Sequence, residues 1–359
     1  MMVHNFNAGP SILPDQVLRK AAEAVINFNG TGLSILEIGH RTPLFEAVLD
    51  EARSLVKELM GLGDEYEVLF LHGGGTTQFM EVPMNLLDEA GTAGYIDTGV
   101  WSSKAIQYAR QFGQVKVLAS SESANYTYIP KDYSVDPALT YLHITTNNTI
   151  YGTEWHRFPE NNGVPVVADM SSDILSRVMD YTKYDLIYAG AQKNMGAAGA
   201  TLVVVKRALL GKVQRKIPGI LDYRKHIEAG SMLNTPPVFA IYVSLLTLQW
   251  LREQGGVAAI DKVNTEKAAL LYDTLDRLPI FRPTVAREDR SRMNVCFVMG
   301  EGRQDLESVF LNRCKAEGMV GIKGHRSVGG FRVSLYNALP LDSVKDLVAL
   351  MEDFSNKNS

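Results

Sequence analysis

The sequence predicts an α/β protein: a large domain on a mostly parallel, mixed sheet, then a small C-terminal α+β domain. Three observations carry that reading. Short aliphatic and β-branched runs recur at residues 68–71, 94–96, 115–118, 141–144, 164–168, 186–189 and 201–205. They lack clean polar alternation, as strands covered on both faces do. Helical patterns lie between several of them, which is the order of a parallel βαβ sheet. After about residue 255 the texture changes to helix, strand and helix without that alternation. A chain of 359 residues suits two domains. They are placed at 16–255 and 256–359, with residues 1–15 as a joining N-terminal segment.

Along the chain, Thr42-Pro43 reads as a cap followed by a first-turn proline. Phe45, Val48, Leu49, Ala52, Val56 and Leu59 then repeat at helical spacing, and Gly61 ends that helix. Residues 76–88 and 101–111 also read as helices. Residues 206–236, rich in basic residues and glycine, read as an extended surface excursion. Asn234-Thr235-Pro236-Pro237 precedes a helix ending near Arg252, and prolines are tolerated at a first helical turn because their missing donors were unpaired anyway. A helix over 265–278 stops at Pro279. A strand at 294–299, a helix at 304–316 and short strands at 319–322 and 330–335 follow. In the last helix Val344, Leu347, Val348, Met351 and Phe354 form one apolar face.

Composition narrows the class. The chain is 46% hydrophobic and 21% charged, ordinary for a globular protein with a full core. A net charge of −4 favours neither nucleic acid nor a membrane surface. Cys296 and Cys314 allow at most one disulfide and no metal cluster, which fits a reducing compartment. The N-terminus lacks a basic start followed by an apolar stretch, and no apolar run approaches a membrane span. A cytoplasmic protein without nucleic-acid or membrane partners is expected.

Two charges stand out against this background. Asp169 closes the apolar run 164–168, and Lys193 follows the run 185–191 within Ala-Gln-Lys-Asn-Met-Gly. Each sits at the C-terminal edge of a strand that reads as buried, where an unused charge is costly. Asp169 alone reads as a helix cap and Lys193 alone as a loop lysine. Together they match the carboxylate and amine that pyridoxal phosphate chemistry requires. Small residues on both sides of Lys193 leave room for a bulky ligand.

Other features are ambiguous singly. Leu71-His72-Gly73-Gly74-Gly75-Thr76 runs from a strand into a helix start, either a phosphate cradle or a plain turn. It is neither a P-loop nor a dinucleotide fingerprint. Trp101, at a strand-to-helix junction, either stacks on a planar cofactor or packs as an ordinary aromatic. Asn234 and Thr235 either cap the next helix or offer donors to an anion. His40, Arg41, His325, Arg326 and Arg332 each read as surface charge. Collectively they suit a substrate with two anionic ends.

Seven motifs in order resemble the phosphoserine aminotransferases of the class-V pyridoxal phosphate family. They are Asn7-Ala8-Gly9-Pro10, Gly39-His40-Arg41, Leu71-His72-Gly73-Gly74-Gly75, Ala168-Asp169-Met170-Ser171-Ser172, the segment 188–194 around Lys193, Asn234-Thr235-Pro236-Pro237 and the segment 324–330 around His325-Arg326. The resemblance implies a fold-type I pyridoxal 5'-phosphate transferase, a homodimer with shared active sites. It implies Lys193 as the Schiff-base lysine and Asp169 as the partner of the pyridine nitrogen. Trp101 would stack on the ring and Thr149 would hydrogen-bond it. Gly75, Thr76 and Gln192 would hold the phosphate, with Asn234 and Thr235 from the other subunit. Thr76 replaces an arginine found in some relatives, so its backbone amide is the expected contact. Arg332 would take the substrate α-carboxylate, and His40, Arg41, His325 and Arg326 the distal anion. The implied reaction moves an amino group from L-glutamate to 3-phosphohydroxypyruvate in serine biosynthesis. Phosphohydroxythreonine of pyridoxine biosynthesis is a further candidate. No metal is implied. A cysteine desulfurase would need a cysteine on a mobile loop, whereas Cys296 falls in an expected strand and Cys314 in an expected helix.

Overall fold

The computed structural model describes residues 3–358. The chain runs β1 (His4–Asn5), α1 (Asp15–Ile26), α2 (Pro43–Met60), β2 (Tyr66–Leu71), α3 (Gly74–Leu86), β3 (Thr92–Asp97), α4 (Val100–Ala109), β4 (Gln114–Ser120) and β5 (Leu142–Thr145). It continues with β6 (Val166–Asp169), β7 (Leu186–Gly190), β8 (Thr201–Lys206), α5 (Tyr223–Glu228), α6 (Val238–Glu253) and α7 (Gly256–Arg277). The rest is β9 (Phe281–Pro283), β10 (Asn294–Met299), α8 (Glu307–Ala316), β11 (Met319–Val320), β12 (Phe331–Ser334) and α9 (Leu341–Lys357).

A seven-stranded sheet in the order β2-β8-β7-β6-β5-β3-β4 forms the centre. Only β8 is reversed, pairing antiparallel with both β2 and β7. The connection over 191–200 carries no crossover helix, so β8 can only return beside β7. That choice positions the chemistry. Leu71 pairs with Thr201, Gly190 with Thr201, and Asp169 with Tyr188 and Thr145. The glycine turn, Asp169 and the Lys193 turn therefore emerge along one edge of one sheet. The strands β5, β6 and β7 are buried throughout, which explains their unbroken apolar runs. The edge strand β4 is largely exposed and carries Lys116.

A second core gathers Phe6, Leu271, Phe281, Phe297, Phe310, Phe331 and Phe354 around the antiparallel sheet β12-β10-β9. The N-terminal β1 pairs parallel with β11 and so joins this later part of the chain. Helix α7 serves both cores: Val257 and Ile260 pack with the large sheet, Ala268 to Leu275 with the small one.

Several local expectations change. Thr42 does precede α2, with Pro43 in the first turn and Gly61 left-handed at its end (φ 65°). The Thr42 hydroxyl, however, donates to Gly39 O at 2.7 Å rather than capping an amide. The helix expected from 265 begins at Gly256, because its first turns face the other core. Helix α1 escaped the periodicity reading, since two of its three buried residues are alanines. Residues 206–236 are not merely an excursion: they contain α5, whose Tyr223 and His226 are buried. Among the described residues no helix is long and apolar enough to cross a membrane.

Candidate active site

The glycine turn fixes the first wall. Gly73 is left-handed (φ 93°), and a Cβ there would stand 2.0 Å from Thr77 Oγ1. Only glycine fits that turn into α3, and the turn aims the helix's first, unpaired amides at the sheet edge. A Cβ on Gly75 would stand 3.3 Å from Ser171 Oγ, so this N-terminus abuts the loop after β6. Thr76 is exposed, which leaves its backbone as the inward group. The Ser171 hydroxyl accepts from Gly190 N at 3.2 Å and ties that loop to the end of β7.

Asp169 ends β6 and is buried. Its Oδ1 accepts from Ser171 N at 2.9 Å, so the cap-like contact is present without a helix behind it. Burial pushes its carboxyl upward, while Ser171 and the Lys193 charge pull it down. Tyr188 beside it shares a hydrogen bond with His143 Nε2 at 2.8 Å. His143 is stacked on Tyr95 with centroids 4.7 Å apart, and burial lowers its pKa to about 3. This neutral, packed floor makes the Asp169 carboxylate the local anion.

Lys193 Nζ donates to Thr149 Oγ1 at 2.8 Å and lies 5.8 Å from the Trp101 ring centroid. Crowding by protein lowers its pKa to about 8; Asp169 opposes that shift and Arg332 adds to it. Trp101 is half-buried and its Nε1 is enclosed without a protein partner. Arg332 on β12 donates to Thr149 O at 3.4 Å, and its Nε is likewise enclosed and unpartnered. His325 and Arg326 occupy a tight loop, closed by Gly324 N donating to Gly330 O at 2.8 Å. That loop leads directly into β12, and after burial the charges of Arg332 and Arg326 also lower the His325 pKa. Gln192 is half-buried beside Lys193.

The remaining expected residues lie elsewhere on the chain. His40 and Arg41 lie in the loop before α2, and no hydrogen bond or ion pair joins either to Lys193, Thr149 or Arg332. His40 Nε2 is enclosed without a partner. Thr235 O meets His72 Nε2 at 2.8 Å, next to the glycine turn, while Asn234 is half-buried.

Residue patterns alone missed the supports of the lysine turn. Ser11 N donates to Gln192 O at 2.9 Å and its hydroxyl donates to Lys193 O. A Cβ on Gly9 would stand 3.2 Å from Lys193 Cγ. Tyr336 Oη donates to Ala8 O at 2.8 Å, and Asn337 N to Asn194 Oδ1 at 2.9 Å. The Asn7-Ala8-Gly9-Pro10 motif pointed to the segment; nothing singled out Ser11 or Tyr336.

The donor set suits a planar, phosphorylated aldehyde. It offers a partly neutral amine, a buried carboxylate, an aromatic face and a helix N-terminus for an anion. Arg332, His325 and Arg326 stand opposite, without carboxylates of their own, ready for a second anionic molecule.

Comparison with known proteins agrees. The aminotransferase class-V family model matches residues 3–347. The phosphoserine aminotransferase of Flavobacterium psychrophilum is 55% identical over 358 residues, covering 99% of this chain and 100% of that protein. A phosphoserine aminotransferase from Bacillus circulans subsp. alkalophilus superposes with a TM-score of 0.96 at 42% identity, covering 100% of this chain and 99% of that one. Another, solved to follow radiation damage of its Schiff base, has a TM-score of 0.96 at 43% identity, with 99% and 100% covered.

Proposed function

The chain belongs to the class-V aminotransferases, and within them to the phosphoserine aminotransferases; from that premise we propose its substrates, cofactor and site roles. It transfers the amino group of L-glutamate to 3-phosphohydroxypyruvate, giving 2-oxoglutarate and O-phospho-L-serine, with pyridoxal 5'-phosphate as resident cofactor. The observation that carries this reading is the meeting of Lys193, Asp169 and the α3 N-terminus on one sheet edge, facing Arg332.

When bound, the cofactor supplies an electron sink for the substrate α-carbon. Lys193 Nζ would hold it covalently. Burial lowers the Lys193 pKa to about 8 and so raises its neutral fraction, and in that form Nζ would take the α-proton and return it. Asp169 holds a proton on the cofactor's ring nitrogen through its negative charge. Trp101 covers the ring. Gly75, Thr76 and Gln192 hold its phosphate, and Thr149 steadies the lysine side. Arg332 forks onto the substrate α-carboxylate. His325 and Arg326 receive the distal anion, a γ-carboxylate in one half-reaction and a phosphate in the other.

His40 and Arg41, with Asn234 and Thr235, complete the site from a second copy of the chain. Supporting this, their loop carries exposed Leu33 and Leu36 and adjoins exposed Leu44. Beside it, α1, α2 and α6 frame a groove of about 710 Å³ lined by Val48, Tyr242 and Leu246. Residues 16–255 and 256–359 act as two domains, joined by residues 1–15. Phe6 in the second core and Ser11 on the Lys193 turn support that division. Two buried, unpaired thiols suit a reducing cytoplasm. 4-Phosphohydroxy-L-threonine, with the same two ends, is a second substrate.

The test is spectroscopic and kinetic. Purified protein with bound cofactor is yellow, L-glutamate shifts its absorbance, and a coupled assay shows 3-phosphohydroxypyruvate preferred over unphosphorylated keto acids. A protein that takes up no pyridoxal phosphate, or prefers the unphosphorylated acids, would overturn the reading.

A further inference from the structure

We infer that Lys104 is an additional cation of the distal subsite and that it sets the preference for a phosphomonoester over a carboxylate. This deepens the proposed reading and rests on it. Lys104 lies one helical turn beyond Trp101 on α4, and its Nζ stands 4.7 Å from the Trp101 ring centroid. The same ring is 5.8 Å from Lys193 Nζ, so both ammonium groups attend one aromatic. Lys104 is exposed, and among the described residues no carboxylate is within 4 Å of its Nζ. Its charge reaches His325 together with those of Arg332 and Arg326.

A group of cations without acids is self-repulsive, and it becomes favourable when an anion enters. The cations differ in what they supply. His325 has a pKa lowered first by burial, then by Arg332, Arg326 and Lys104. At neutral pH it therefore serves chiefly as a hydrogen-bonding group. Within the chain, fixed charge comes from Arg326 and Lys104, beside the Arg41 that a second copy would supply. A phosphomonoester carries nearly two charges at neutral pH and a γ-carboxylate carries one. A γ-carboxylate leaves more of this positive charge unbalanced than the phosphate does, so loss of the Lys104 charge weighs more on the phosphate. The Trp101 ring holds the ammonium over its face without neutralising its charge.

The test compares holoenzyme carrying Lys104→Met, which keeps the stem but loses the charge, with Lys104→Arg. The methionine variant should lose roughly tenfold in kcat/KM for 3-phosphohydroxypyruvate, the size of one charge-assisted contact. Its glutamate half-reaction should change by less than about threefold. Inorganic phosphate, titrated calorimetrically against holoenzyme, should bind correspondingly more weakly. Lys104→Arg should restore both. Equal losses in the two half-reactions, or phosphate affinity unchanged in Lys104→Met, would overturn the inference and leave Lys104 as a support for Trp101. Wild-type failure on the phosphorylated acid would instead overturn the functional reading, and this inference with it.

Discussion

Lys193 and Asp169 share a neighbourhood in which burial outweighs their mutual attraction. For both, desolvation is the largest influence, lowering the amine and raising the acid. A cationic cofactor ring between them would pull the Asp169 carboxyl back down and strengthen its anionic form. The amine of the cofactor-free protein loses its proton near pH 8, and only the neutral amine attacks an aldehyde. Uptake of pyridoxal phosphate should therefore accelerate as pH rises through about 8 and level off above it. Stopped-flow absorbance checks this; a rate flat between pH 6 and 9 would place the lysine elsewhere. Asp169→Ala should retain the fold but lose about 100-fold or more in turnover, as when one preorganised electrostatic partner is removed. Arg332→Ala should raise KM for both substrates, since both present an α-carboxylate. A loss of about 1.5–3 kcal/mol in each half-reaction is expected from steady-state kinetics. Damage confined to one half-reaction would show that Arg332 serves the distal anion instead.

At the scale of elements, chain order and strand direction place the site, and much of that was legible. The apolar runs ending in Asp169 and preceding Lys193 are strand ends in the structure because fully buried parallel strands leave little ambiguity. Periodicity fails where an element serves two environments or buries small residues, as α7 and α1 do. It also cannot reveal contacts between distant segments, such as Ser11 with Lys193 or Tyr336 with Ala8. Lys267 on α7 is another such case. Its ammonium is fully buried and donates to Leu335 O at 2.8 Å, Tyr336 O at 2.9 Å and Leu339 O at 3.1 Å. A lysine at helical spacing reads as surface, yet here it fixes the turn bearing Tyr336 and Asn337. Lys267→Met keeps the stem and abandons three carbonyls. It should cost about 2–4 kcal/mol in denaturant unfolding, since buried acceptors left unpaired are expensive. An unchanged midpoint would mean that water replaces the ammonium.

At the scale of the whole molecule, no hydrogen bond or ion pair ties His40 or Arg41 to Lys193, Thr149 or Arg332, and the loop that bears them carries exposed leucines. Isologous pairing would bring each copy's loop to its partner's cleft, since a two-fold axis exchanges equivalent surfaces. This arrangement has a consequence that a self-contained site lacks. A chain with Lys193→Ala has no amine but an intact loop; one with Arg41→Ala has the amine but a defective loop. Each is expected to be nearly inactive alone. Unfolded together and refolded at equal concentration, they form mixed dimers in which one cleft combines intact Lys193 with intact Arg41. The other cleft carries both defects. Random pairing makes about half the dimers mixed, each with one working cleft, so turnover should recover to about a quarter of wild type. Recovery should appear only after subunit exchange, not on mixing folded proteins at concentrations where dimers persist. No recovery after exchange, with dimers confirmed by light scattering, would place Arg41 outside the partner's site and leave His325, Arg326 and Lys104 to bind the distal anion within one chain.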